Sequence, residues 1–368
     1  MLPSRLKVIR HQEDISPSQH TIRSTEHYSA NQIHSSPTLT TTSSDDAEDL
    51  LTSFLPHLFP DEAPSCLGEP GQALAYESGM WGDVTVIVPD YPKRGEEEDR
   101  FGKGGGVEEG RRLFAHYLWG GGLVVAEGIE KATAAQGEKD TIWCVKGERV
   151  LELGAGAALP SLISTLAGAA EVTITDHPSS PALYGAIQAN VANNIPEHLR
   201  CRVSIQPHEW GILNPDEVCV SSHWQENAAP HLHPKITSPF KFALDNKGSF
   251  TRIIAADCLW MKNQHENLVR SLLWFLAPPS PYINEEGARE GGVAWVVAGF
   301  HTGREVVASF FETAVSNGLV VERMWERDVN ARNEEGEVTR KWMPVRPREG
   351  PENRARWCVV AFLRKGID

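Results

Sequence analysis

From about residue 149 onward, apolar residues fall into two alternating patterns. Short apolar runs at 149–153, 171–175, 201–206, 250–256, 293–299, 319–326 and 356–363 have the length and β-branched content of strands. Between them, 158–168, 181–194, 263–276 and 303–317 repeat apolar residues at helical spacing. This alternation predicts an α/β fold on a mostly parallel sheet with right-handed crossovers. The runs at 250–256 and 293–299 are almost wholly apolar, as strands covered on both faces should be. No helical pattern separates the last two runs. The charged, proline-containing stretch 328–354 reads as a long loop joining an antiparallel pair. The expectation is a seven-stranded, mostly parallel sheet with an antiparallel last strand.

Upstream the pattern is weaker. Leu113 to Glu130 opens the fold proper, with a helix expected from about Leu123. Asp83–Val88 alternates as a strand, and 93–110 is a charged, glycine-rich loop. Residues 46–59 carry Leu50, Leu51, Phe54, Leu55 and Leu58 at helical spacing and end before Pro60. Residues 1–45 are rich in Ser, Thr, His and Gln, too poor in apolar surface to offset ordering entropy, so disorder is expected. The expected organisation is a tail (1–45), an extension (46–112) and an α/β domain (113–368) with loop insertions near 214–248 and 278–292.

The candidate chemistry sits at the first strand of that domain. Val150-Leu151-Glu152-Leu153-Gly154-Ala155-Gly156-Ala157-Ala158-Leu159 is an apolar strand, a glycine turn and the start of a small-residue helix. The next strand, 171–175, ends in Asp176. Glycines at such a turn let backbone approach a nucleoside-bearing cofactor, and a carboxylate one strand later accepts hydrogen bonds from ribose hydroxyls. Leu159 stands where a dinucleotide fingerprint has its third glycine. That substitution disfavours a dehydrogenase and leaves S-adenosylmethionine (SAM) as the cofactor of choice, bound by Glu152, Gly154, Gly156 and Asp176. Helix N-capping competes for Asp176, which precedes Pro178.

Three further segments aim side chains at the same end of the sheet. Trp119, followed by Gly120, Gly121 and Gly122, can sit beside a ligand, and Trp210-Gly211 after the third strand can stack on adenine. Asp257-Cys258-Leu259-Trp260 ends the fourth strand. There Asp257 can receive the amine of SAM or orient an incoming nitrogen, and Trp260 can face a methylammonium. Capping of the following helix competes for Asp257. Asn190 and Asn193 read as helix-capping or substrate-bonding groups of little weight. His231 and His233 read as solvated, and His265 and His301 as surface or lid residues.

Charge and cysteines narrow the class. With 35 Lys and Arg against 49 Asp and Glu the net charge is −14, which disfavours nucleic acid and anionic membrane as partners and suits a basic one. The six cysteines are scattered without C-x-x-C, so no metal site is expected and reduced thiols in the cytoplasm are. No apolar run is long enough to span a bilayer. Arg5, Lys7 and Arg10 precede any acid, but no apolar core of a secretory signal follows.

Taken in order, Leu118-Trp119, Val150 to Gly156, Thr175-Asp176, Trp210-Gly211 and Asp257 to Trp260 resemble the motifs of the seven-β-strand lysine methyltransferases. Within that family the chain resembles the fungal nicotinamide N-methyltransferase-like branch, which includes enzymes acting on the N-terminus and a lysine of translation elongation factor 1-alpha. The resemblance covers roughly residues 75–365. It implies a Rossmann-like class I fold, with SAM contacts at Trp119, Gly154, Gly156, Asp176 and Trp210. The family's acidic-x-x-aromatic motif maps onto Asp257 and Trp260, with Trp where Phe or Tyr is usual. The expected activity is methylation of a protein lysine or N-terminal amine by a monomeric enzyme. A small, nicotinamide-like acceptor and a non-catalytic SAM-binding adaptor are the alternatives.

Overall fold

The computed structural model describes residues 3–9, 66–90, 117–135, 142–214, 239–279, 291–333, 336–350 and 356–366. The helix expected at 46–59, the loop at 93–110, His231 and His233, and most of both insertions lie outside them.

Ahead of the main sheet, β1 (Leu6–Val8), β2 (Cys66–Leu67), β3 (Ala73–Ser78) and β4 (Gly82–Ile87) build an N-terminal unit. β1, β3 and β4 form an antiparallel sheet in that order. Val84 and Val86 are buried while Thr85 and Ile87 are half-buried, the alternation of a strand with one face on a core. The Ser78 hydroxyl accepts the Met80 and Trp81 N–H groups and closes the β3–β4 turn. Residues 6–8, expected within a disordered tail, are thus a strand. Arg5 explains it: its guanidinium donates to Glu130 at 2.5 Å and to the Glu77 carbonyl at 2.8 Å, and lies 4.6 Å from the Tyr76 ring centre.

β5 (Leu118–Trp119) pairs with β2 and leads into α1 (Gly120–Ala134). The helix starts before the expected Leu123, because Gly120, Gly121 and Gly122 form its first turn. Then come β6 (Arg149–Glu152), α2 (Leu159–Leu166), β7 (Glu171–Asp176), α3 (Ala186–Asn194), α4 (Glu197–Arg200) and β8 (Val203–Pro207). The expected helix 181–194 is divided at Gly185, whose φ is 132°, into a short 3-10 turn, Pro181–Tyr184, and α3. α5 (Pro239–Asp245) ends the first insertion. β9 (Arg252–Ala256), α6 (His265–Phe275), β10 (Val293–Gly299), α7 (Arg304–Ser316), β11 (Leu319–Asn333), β12 (Gly336–Lys341) and β13 (Trp357–Lys365) complete the order.

The main sheet runs β12-β11-β13-β10-β9-β6-β7-β8. β8, β7, β6, β9 and β10 are mutually parallel, and β13 is antiparallel to both β10 and β11. The chain steps outward from β6 to β7 and β8, then crosses back to β9 on the other side. That reversal opens a crevice at the carboxyl ends of β6 and β9. Each central strand feeds two cores: Val293, Trp295 and Val297 face one, and Ala294, Val296 and Ala298 the other. This accounts for the continuous apolar run in β10.

The seven anticipated strands are present, and β12 adds an eighth at the edge. Part of the stretch expected to be a loop is therefore a hairpin, with β11 reaching Asn333 rather than 326. Its charges are paired inside the protein. Arg304 donates to Glu326 at 2.7 Å and to Glu349 at 2.8 Å, Arg340 bridges the same two carboxylates, Arg327 meets Glu127, and Arg356 meets Asp328.

Candidate active site

The β6–α2 turn is built for close backbone approach. Gly154 and Gly156 have φ of 65° and 51°, and Ala158, the residue before α2, has 61°. The turn hangs from both neighbouring strands: Leu153 N–H donates to Ile254 O at 2.9 Å and Ala155 N–H to Thr175 O at 3.0 Å. A Cβ on Gly154 would lie 2.9 Å from Cys258 Sγ and 3.1 Å from Trp210 Cζ2. A Cβ on Gly156 would meet nothing within 4 Å. Gly154 is thus the packed side of the turn and Gly156 the open side. The open side faces a cleft of about 1040 Å³, part of it open to solvent, that all eight expected site residues line.

Asp176 ends β7 beside the turn. Its Oδ2 accepts the Gly156 N–H at 2.8 Å and its Oδ1 the His177 N–H at 2.7 Å. The cap of the following 3-10 turn is Ser180, so the competing capping role falls away. Asp176 is half-buried at the cleft wall, where a second acceptor lone pair on each oxygen can meet a ligand hydroxyl.

The other two cleft carboxylates cap helices, Glu152 the helix that follows it and Asp257 one far earlier in the chain. α1 begins after Trp119 and α2 after Ala158, and neither residue gives a side-chain cap. Glu152 supplies the cap for α2, accepting Ser161 N–H at 3.0 Å and the Ser161 hydroxyl. Asp257 supplies it for α1: Oδ2 accepts Gly121 N–H at 2.5 Å, while Oδ1 accepts Gly299 N–H at 2.8 Å. A carboxylate satisfies the orphan N–H groups of a helix start and the positive end of its dipole. Asp257 takes a φ of 54° to do so. Gly121 is required there because a Cβ would lie 2.5 Å from Asp257 Oδ2 and 2.9 Å from Val297 O. Burial pushes the Asp257 carboxyl up to about 6, against the two backbone donors that pull it down. Burial likewise pushes Glu152 up to about 8, against its bonds from Ser161.

Trp119, Trp210 and Trp260 supply aromatic wall, joined by Tyr117 and His208. Relieved of capping, position 119 carries a ring into the cleft. The imidazole of His301 stacks on it, centres 4.6 Å apart and 28° between planes. His301 follows β10, and burial lowers its pKa to about 4. It backs the cleft wall rather than forming a surface lid. His265, also expected at the surface, is buried, with Nε2 2.9 Å from Leu259 O. His208 was not singled out by the sequence. It is buried beside Trp210 with Nε2 3.2 Å from Ser271 Oγ, and burial lowers its pKa to about 3. A histidine following Pro207 carried no spacing signal.

An open sheet with this strand reversal, a glycine turn at the first parallel strand and an acid at the end of the second define a class I SAM-dependent methyltransferase. The fit to the nucleoside is the open face at Gly156 with Asp176 beside it, and SAM is the cofactor. Residues 107–225 match the family model described as lysine methyltransferase. A protein N-terminal and lysine N-methyltransferase EFM7 from Candida glabrata is 29% identical over 214 residues, covering 58% of this chain and 66% of its own, just under two thirds. The Schizosaccharomyces pombe efm7 protein of the same description is 29% identical over 246 residues, covering 66% of this chain and 75% of its own. Among solved structures, a putative SAM-dependent methyltransferase from Streptococcus mutans aligns over 82% of this chain and 56% of its own, at 11% identity and a TM-score of 0.40. Over residues 107–225 the chain is thus similar to the lysine methyltransferase family, and its relatives of that description match it more widely at 29% identity.

Proposed function

We propose that this protein transfers a methyl group from SAM to a protein amine, either a lysine side chain or an N-terminal amine, with translation elongation factor 1-alpha as the first acceptor to assay. The observation that carries the reading is the Gly156–Asp176 pair: an open glycine face whose N–H fixes a carboxylate at the cleft wall. When bound, SAM supplies an electrophilic methyl on a sulfonium. The chain's own work is positioning. Asp176 holds ribose hydroxyls, Gly154 and Gly156 give backbone clearance, and Trp210 covers the adenine end. Trp119 and Trp260 wall the acceptor end, and Asp257 orients the acceptor nitrogen. Glu152 acts by fixing the start of α2 beside the turn. Holding two reactants in line is worth effective molarities of roughly 10⁵–10⁸ M. An amine acceptor must arrive neutral, and a poorly hydrated aromatic wall lowers the pKa of an ammonium group.

The net charge of −14 supports a basic protein segment as partner and argues against nucleic acid. No helix among the described residues is long and apolar enough to cross a membrane. We read the enzyme as a cytoplasmic monomer, with the tail and extension ahead of an α/β domain from about residue 113. The test is transfer of labelled methyl from SAM to elongation factor 1-alpha and to lysate protein. Wild type should label protein and Asp176→Ala should not; equal labelling by both overturns the assignment.

A further inference from the structure

Two of the three asparagines on helix α3, Asn190 and Asn194, do not cap it. Their amides bind the free edge of β4. Asn190 Oδ1 accepts Ile87 N–H at 2.7 Å, and its Nδ2 donates to Ile87 O at 3.0 Å. Asn194 repeats the pattern one turn later, with Oδ1 accepting Thr85 N–H at 2.8 Å and Nδ2 donating to Thr85 O at 2.6 Å. Four helical residues rise about 6 Å and two strand residues about 6.6 Å, so the two periods match. The amides thus act as a substitute strand along an edge that β3 leaves unpaired.

The two asparagines differ in one bond. Asn190 Nδ2 also donates to Ala157 O at 3.0 Å, inside the β6–α2 turn, whereas Asn194 Nδ2 donates to Asn190 O at 2.7 Å. Asn190 is fully buried, so each of its bonds lies out of competition with water. Ala157 lies between Gly156, the open face of the turn, and Ala158, the left-handed residue that starts α2. The segment just ahead of β3 also reaches the cleft, since β2 pairs with β5 in a separate two-stranded ribbon that holds Trp119.

We propose that Asn190 is a positioning residue of the cofactor site: it ties the glycine turn to the edge of β4, so that docking of the N-terminal sheet sets the shape of the turn that receives SAM. The proposal rests on the cofactor reading above. Coupling of this kind is reciprocal, so a ligand on the turn steadies β4 as much as β4 steadies the turn.

The test uses the full chain and SAM titration calorimetry on wild type, Asn190→Ala and Asn194→Ala. Both variants loosen the docking of β4; only Asn190→Ala cuts the bond to the turn. Asn190→Ala should weaken SAM binding roughly tenfold and raise KM for SAM in step, with kcat at saturation little changed. Asn194→Ala should stay within about threefold of wild type. Equal weakening of the two variants, or none in either, overturns the proposal. A wild type that binds no SAM overturns the cofactor reading instead. Should Asn190→Ala fail to fold, hydrogen exchange on wild type decides: SAM should slow exchange of the Ile87 amide, and protection confined to the cleft residues overturns the coupling.

Discussion

The two glycines of the β6–α2 turn should fail in different ways when each is replaced by alanine. Both have positive φ, and an L-residue there costs about 1–2 kcal/mol, of which the stiffer unfolded chain returns about 0.4–1. For Gly156→Ala nothing else is lost in the free protein, because the new methyl points into open space. Its net destabilisation is about 0.5–1.5 kcal/mol. Gly154→Ala adds a methyl 2.9 Å from Cys258 Sγ and 3.1 Å from Trp210 Cζ2. Overpacking of this kind costs about 1–3 kcal/mol more, for a total of about 2–4. The order reverses for the cofactor. The Gly156 methyl occupies space the ligand needs and should weaken SAM at least tenfold, about 1.4 kcal/mol. Urea unfolding of both variants, with SAM calorimetry on each, checks the pair. If Gly154→Ala proves no less stable than Gly156→Ala, the packing of Trp210 and Cys258 on the turn is misread. If Gly156→Ala binds SAM like wild type, the ligand does not pass over that face.

Three further outcomes follow from the buried charges. Asp257→Asn keeps the shape but can accept only one of the Gly121 and Gly299 N–H groups, so it should cost about 1–3 kcal/mol in urea unfolding; lost methyl transfer at unchanged stability would refute the helix-clamp role. Burial raises the Glu152 carboxyl to about 8 from 4.5, so the folded state holds its proton more tightly than the unfolded chain and loses stability as pH climbs between those values. Glu152→Gln should therefore gain on wild type from pH 5 to 8 in unfolding titrations, and a constant gap would contradict this. Glu326 is the opposite case: its pKa is lowered because the bonds from Arg304, Arg340 and Arg346 outweigh its burial, so its contribution is present above 4.5 and fades as pH falls through the lowered folded value. Arg304→Met leaves Glu326 short of a partner and should cost about 3–5 kcal/mol at neutral pH by thermal or urea unfolding; a loss under about 1 would show the network to be dispensable.

Periodicity exposed the seven main strands because each carries a short run of apolar or β-branched residues, unbroken in β10, where both faces are buried. It missed β12 and the far half of β11 because Glu326, Arg327 and Asp328 are charged and yet buried, each satisfied by a partner distant in sequence. A single sequence carries no sign of such pairing. The same blindness hid β1, whose place depends on Arg5 reaching Glu130 across 125 residues. All eight expected site residues line one cleft, since strand ends and turns are local features. What each carboxylate touches was not legible. The place of Asp257 before α6 suggests a cap for that helix, but the helix it caps is α1, 136 residues earlier. Asn193, which the sequence offers alongside Asn190, is exposed; the partner of Asn190 is Asn194, one turn on, where helix and strand periods coincide.

Under the proposed mechanism, the capping arrangement governs how Asp257 meets the acceptor. Position 119 at the start of α1 would ordinarily hold Ser, Thr, Asp or Asn, and substituting an apolar residue there costs about 0.5–2 kcal/mol. Here it is Trp, and the cleft gains an aromatic wall that a capping residue could not supply. The loss is offset by Asp257, a charged acceptor arriving from β9. That same bond holds Asp257 against rotation, with its second oxygen fixed by Gly299 at the end of β10. A carboxylate held from two sides cannot swing to follow a substrate, so the substrate must come to it. Such a group stabilises only those acceptor positions that match its fixed lone pairs, and fixed dipoles of this kind need no reorganisation at the moment of reaction. In this protein the device that lets Trp119 wall the cleft is also the device that preorganises Asp257.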